Sequence, residues 1–287
     1  MPANSTMARP VPEATTRESY SLWRMVYMTS IGSRLQWTQP TLPGMEAKLV
    51  PGEAFRLTQE HGKVRQILFK DAKKLRVLKN AHLLERLSLR GESEIPQILP
   101  CSTIPKRLVA WSEAKLVDNK SGAWLHFYED DYKFKEIWDD SELLFSTARE
   151  FDGIISPDFS LYYDAPYPVK LTNTYRNQLL GAAAQARGIP TIANVRLSGR
   201  DSACYALAGV PHKSVIALGL HGTVKEPENR AIVRDEIEVI VNTVEPIAIV
   251  VYGSDAYGVL DYPAGLDIPI YVFPADTYTR SRDRRVA

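Results

Sequence analysis

Residues 151–197 read FDGIISPDFSLYYDAPYPVKLTNTYRNQLLGAAAQARGIPTIANVRL. Two short apolar runs, GIIS (153–156) and PTIANV (190–195), flank a segment of helical character. Each run stops abruptly on polar residues: Ser156, Asp158 and Ser160 after the first, Asn194 and Arg196 after the second. A third polar cluster, Asn173, Tyr175, Arg176 and Asn177, opens the helix between them. Strand, helix and strand in this order predict a βαβ unit. In such a unit the ends of the parallel strands and the start of the crossover helix share one edge of the sheet. Open α/β sheets and βα barrels build their sites at that edge.

The same grammar repeats on both sides. Downstream, Gly188 is placed to cap the helix, and the runs SVIALGLHG (214–222), PIAIVVYGS (246–254) and IPIYVFP (268–274) read as further strands. A helix over about 229–244 carries Val233, Ile237, Ile240, Val241 and Val244 on one face. Upstream lie AWLHFYEDD (123–131), the shorter RLVAW (107–111) and a helix over about 140–149. Near-continuous apolar runs mean strands covered on both faces, and helical connections mean a mostly parallel sheet. The prediction is an α/β fold whose sheet is an incomplete barrel or open. A complete barrel is the alternative, because the first hundred residues supply few of the eight strands it needs.

Three regions follow. Residues 1–44, rich in Ser, Thr, Pro and Met, predict a poorly ordered leader. Met7, Met25 and Met28 leave open whether Met1 is the true start. Residues 45–94 predict a basic helical appendage, and residues 95–287 the α/β core. Within the appendage, Lys63, Lys70, Lys73, Lys74 and Lys79 alternate with Val64, Ile67, Leu68, Leu75 and Leu78 at helical spacing. A solvated basic helix face explains this pattern. So does a phosphate-contacting face for nucleic acid across residues 63 to 90, ending at Arg90.

Charge and cysteine usage narrow the class. Lys and Arg number 35 against 34 Asp and Glu, a net charge of +1 over 287 residues, so global charge implies no polyanionic partner. Cys101 and Cys204 have neither metal-ligand spacing nor the count for a disulfide framework, which suits a reducing cytoplasm. No apolar run approaches the ~20 residues of a membrane span.

Candidate site residues are what each strand delivers to its C-terminal edge. Asp131, Asp158 and His221 are the candidate catalytic groups. Asn173, Arg176, Asn177, Asn194, Arg196, Tyr252 and Ser254 are candidate substrate contacts. Asp131, Asp158 and Asp255 from three strand ends are candidate ligands for a divalent metal such as magnesium. Arg196 is the most telling, because a charge ending an apolar strand needs an anion or solvent. There is no P-loop, no GxGxxG after a strand, no HExxH and no GxSxG.

The segments HFYEDDYKF, GIISPDFSLY, PYPVKLTNTYRNQLLG, GIPTIANVR, SVIALGLHG and IVVYGS together resemble a bacterial, phage and mobile-element family known as domain of unknown function 4417. The resemblance spans roughly residues 95–273, and SPDFS and NTYRN are its most specific pieces. An aromatic residue common in that family after the NVR-like strand is Leu197 here. The resemblance implies a cytoplasmic protein of mobile-element context and brings no catalytic residue or cofactor with it. Two functions are therefore expected as alternatives. One is an enzyme acting on a nucleotide, nucleic acid or other phosphorylated substrate. The other is a non-catalytic nucleic-acid or protein binding module in phage replication or host takeover.

Overall fold

A computed structural model of the chain describes residues 79–254 and 256–275. The expected leader, Asp255, and the part of the basic stretch holding Lys63, Lys70, Lys73 and Lys74 lie outside the described residues. What is described of that stretch is a 3-10 helix over Ala81–Arg86 and a two-residue strand β1 (Leu89–Arg90). β1 pairs antiparallel with β2 (Ile95–Pro96), so the helical expectation up to Arg90 gives way to a hairpin. Gly91, at φ 68, supplies its turn.

The body is one sheet of seven strands in sequence order. They are β3 (Arg107–Ala110), β4 (Ala123–His126), β5 (Gly153–Ile155), β6 (Thr191–Asn194), β7 (Val215–Gly219), β8 (Ala248–Tyr252) and β9 (Ile270–Phe273). Every neighbouring pair is parallel. The helices between them are α1 (Glu136–Asp139), α2 (Ser141–Ala148), α3 (Tyr167–Gln185), α4 (Ala203–Ala206), α5 (Pro227–Val244) and α6 (Asp261–Gly265). Asp140 caps α2 by accepting from the Glu142 N–H at 3.1 Å. Pro168 and Pro227 sit in the first turns of α3 and α5, where a missing N–H costs nothing.

The sheet curls. β4 and β8 are four steps apart in it, which in a flat sheet is about 19 Å. Yet the rings of His126 and Tyr252 stand 4.3 Å apart, and those of Tyr128 and Tyr252 5.3 Å apart. Only a rolled sheet brings them together. β3 and β9 form no ladder, so this is a nearly closed barrel with an unsealed seam.

Alternation along the strands divides the core. Trp124, Ile155, Ile192, Val215, Ala217, Ala248 and Val250 fill the lumen. Leu125, Ile154, Ala193, Ile216, Leu218, Ile249 and Val251 face the helices. Buried on both sides, the strands read in sequence as unbroken apolar runs. Gly181 lets α3 approach closely: a Cβ there would stand 2.6 Å from that of Ser156 and 2.7 Å from Ile98.

Candidate functional site

The lumen phase of β4 continues past its last residue. Trp124 and His126 point inward, and so does Tyr128. β6 extends in the same way from Ile192 through Asn194 to Arg196, and β8 ends on Tyr252. The upper layer of the barrel is therefore polar and aromatic, and it closes the bottom of a cavity of about 480 Å³ at the C-terminal mouth. Asp158, Arg196, His221 and Tyr252 line it.

Arg196 and Asp158 form the centre. Nε and Nη2 of Arg196 donate to the two Asp158 oxygens at 2.7 and 2.6 Å. Asn194 adds a donor to Oδ1 of Asp158 at 2.8 Å, and the Tyr128 hydroxyl donates to Oδ1 of Asn194 at 3.1 Å. Burial opposes the charge of Arg196, but Asp158 outweighs it and holds the guanidinium above its ordinary pKa. Burial, then the negative charge of Asp158, holds the Tyr128 phenol well above its ordinary value. This layer is packed to contact: a Cβ at Gly219 would meet the Tyr128 ring at 2.5 Å and Nη2 of Arg196 at 3.1 Å.

His126 lies beneath. Its Nδ1 accepts from the Tyr128 N–H at 3.2 Å, while Nε2 is buried with no partner among the described residues. Burial pushes its pKa down to about 3, so the ring is neutral. His221, by contrast, is exposed on the cavity wall, edge-on to Tyr252 at 6.2 Å. The loops around it are pinned by α5. Arg230 donates to the Val224 and Lys225 carbonyls, and Arg234 to those of Tyr257 and Gly258.

The loop carrying Asp158 is held from three sides. Asn177 accepts from the Phe159 N–H at 2.7 Å and donates to the Phe159 carbonyl at 3.1 Å. One turn earlier, Asn173 donates to the Ser160 carbonyl at 2.8 Å. Asp131 accepts from the Ser160 N–H and, at 2.8 Å, from its hydroxyl. The two asparagines of NTYRN thus clamp SPDFS from positions i and i+4 of one helix face. Arg176 lies on a separate groove with Asn173 and does not line the cavity. Ser254 is exposed just past β8. Ser112, Glu129, Asp130 and Lys133 also line the cavity; of these, Asp130 is expected from the end of the AWLHFYEDD strand, and the other three carry no sequence signal. Glu129 accepts from the N–H and hydroxyl of Ser112 and lies 3.6 Å from the Lys133 amine.

Among the described residues, no three His, Cys, Asp or Glu side chains converge to hold a metal. Asp158 spends both oxygens on Arg196 and Asn194, and Asp131 is taken up by Ser160. Behind Arg196 a small cavity of about 70 Å³ holds Tyr163 and Glu236. Glu236 accepts from the Gly199 N–H at 2.7 Å and the Tyr163 hydroxyl at 3.0 Å. Burial raises its pKa above the usual carboxylate value, and these hydrogen bonds partly offset the rise.

Fold and cavity define a class: a nearly closed, seven-stranded parallel α/β barrel with a polar pocket at the C-terminal ends of its strands. The chain belongs to the family described as a domain of unknown function (DUF4417), whose family model matches residues 88–267. Two relatives are phage proteins. The Gene 1 protein of Mycobacterium phage L5 is 28% identical over 181 residues, 62% of this chain and 79% of the relative. The Gene 1 protein of Mycobacterium phage D29 is 28% identical over 166 residues, 57% of this chain and 62% of the relative. No solved structure matches. Among the described residues no helix is long and apolar enough to cross a membrane.

Proposed function

We propose that the barrel mouth binds and transforms a nucleotide or other phosphorylated small molecule. The observation that carries this reading is the way Arg196 is held. Asp158 fixes one edge of its guanidinium, and Nη1 makes no hydrogen bond among the described residues. A guanidinium oriented in this way is a preorganised anion contact. Tyr128 and Tyr252, stacked at 5.3 Å, offer a planar group an aromatic surface in the same cavity. His221 is the group placed for proton transfer, because its imidazole is exposed on the cavity wall.

Carboxylates outnumber cations here: Glu113, Glu129, Asp130 and Asp158 stand against Lys133 and Arg196. A bare polyphosphate would meet net repulsion, so the ligand enters with a divalent cation that it brings itself. Asp158 and Asp131 then serve as supports: Asp158 orients Arg196, and Asp131 holds Ser160. Commitment of both carboxylates also favours a second reading, a non-catalytic binding module with the same ligand. A thermal-shift panel of nucleotides and sugar phosphates, with and without magnesium, tests binding. Turnover of the bound ligand, lost in His221→Ala with affinity retained, separates the enzyme from the module. No metal-dependent shift for any phosphorylated compound rules out both.

A further inference from the structure

Arg176, from the most distinctive motif of the chain, is left without a role by the barrel cavity. It lines a groove of about 260 Å³ over the first turns of α3 with Pro168, Val169, Thr172 and Asn173. Its guanidinium lies over the rings of Trp138 and Phe159, 5.0 and 5.6 Å from their centroids. Its one hydrogen bond among the described residues is a long one, Nη1 to Oδ1 of Asn173 at 3.3 Å. Nε is buried with no partner among the described residues, and none of their carboxylates comes within ion-pair distance. Arg187, Arg196 and Arg200 each have a carboxylate, and Arg230 and Arg234 each bind two carbonyls. A guanidinium held over two aromatic rings, with Nη2 making no hydrogen bond among the described residues, can receive a carboxylate from outside.

The surroundings say what carries that carboxylate. Val169, in the groove beside Arg176, is 47% exposed. Arginine is enriched among protein interface anchors, and an exposed aliphatic side chain next to it suits a peptide segment with an apolar residue beside its charge. A nucleic-acid backbone needs a track of cations. Here the nearest lysine on the helix, Lys170, is engaged with the Tyr163 carbonyl at 3.1 Å. We propose that this groove docks an acidic segment of a partner protein, with a carboxylate on Arg176 and an adjacent apolar side chain on Val169. The proposal is independent of the reading of the barrel cavity.

The test pans a random peptide library against the full chain, with R176M and V169E as counter-targets. V169E guards against a folding defect in R176M, because Val169 is half exposed and its replacement places a repelling charge in the groove. Sequences carrying Asp or Glu next to an apolar residue should be enriched on the wild type and bind each variant at least about tenfold more weakly. No acidic enrichment, or equal binding by the variants, overturns the proposal. So does binding of single-stranded oligothymidine that R176M abolishes, which would assign the groove to nucleic acid.

Discussion

Asp158 meets the side edge of Arg196, its two oxygens 2.7 and 2.6 Å from Nε and Nη2, with the carboxylate side chain only 7% exposed. The pair joins the loop after β5 to the end of β6, and it does so at the bottom of the cavity. Removing one member strands the other. Arg196→Met should therefore cost about 3–5 kcal/mol in a urea melt. The double variant with Asp158→Asn should recover part of that loss, because no charge is then left buried alone.

Gly219 is required by space. With the Tyr128 ring 2.5 Å from any added Cβ, Gly219→Ala must displace that ring or the strand. A loss of about 1–3 kcal/mol is expected. A change in near-ultraviolet circular dichroism should accompany it, because the Tyr128–Tyr252 stack is disturbed.

Asn177 spends its side chain on the backbone of Phe159, so Asn177→Ala leaves a buried N–H and C=O without partners. The cost should be about 2–4 kcal/mol. Amide exchange should quicken at Phe159 and Ser160 more than in β6 or β7. Uniform quickening across the barrel would mean that the clamp is global rather than local.

Two buried groups give opposite pH slopes. The His126 pKa falls from 6.5 to about 3 through burial, so the folded chain binds fewer protons than the unfolded one between those values. Stability is then lost as pH drops through that window, by on the order of 4–5 kcal/mol in total. His126→Phe should flatten the slope.

Glu236 is raised by burial above 4.5, so its contribution is full below that value and is lost as pH rises through the folded pKa. Glu236→Gln keeps an acceptor for the Gly199 N–H and should remove this decline, leaving the variant at least as stable as wild type at neutral pH. Stability curves from pH 3 to 8, run on both variants, separate the two effects.

Much of this fold is legible in the sequence because a parallel barrel buries both strand faces, leaving runs such as TIAN and AIVVY without polar interruption. Polar residues where those runs end mark the mouth, which is why Asp158, Arg196, His221 and Tyr252 could be selected together. β1 and β2 were not legible, since two-residue strands carry no periodicity and their pairing depends on the turn at Gly91. Arg176 and Asn173, one turn apart in the same motif, both line a groove separate from the cavity. Helix rotation against the barrel decides that, and local sequence does not encode it. Tyr128 was readable in principle: it continues the even-numbered lumen phase of Trp124 and His126. Ser112, Glu129 and Lys133 reach the cavity only through the turns after β3 and β4, which leave no pattern.

The proposed site would hold an anion on the free edge of Arg196 and a planar group on Tyr128 and Tyr252. A crystal soaked with magnesium and the nucleotide giving the largest thermal shift tests it most directly. A phosphate should lie within hydrogen-bonding distance of Nη1 of Arg196, with the Asp158 pair unbroken and the base against the two tyrosine rings. A nucleotide bound elsewhere on the barrel, or a cavity still empty at saturating ligand, would contradict it.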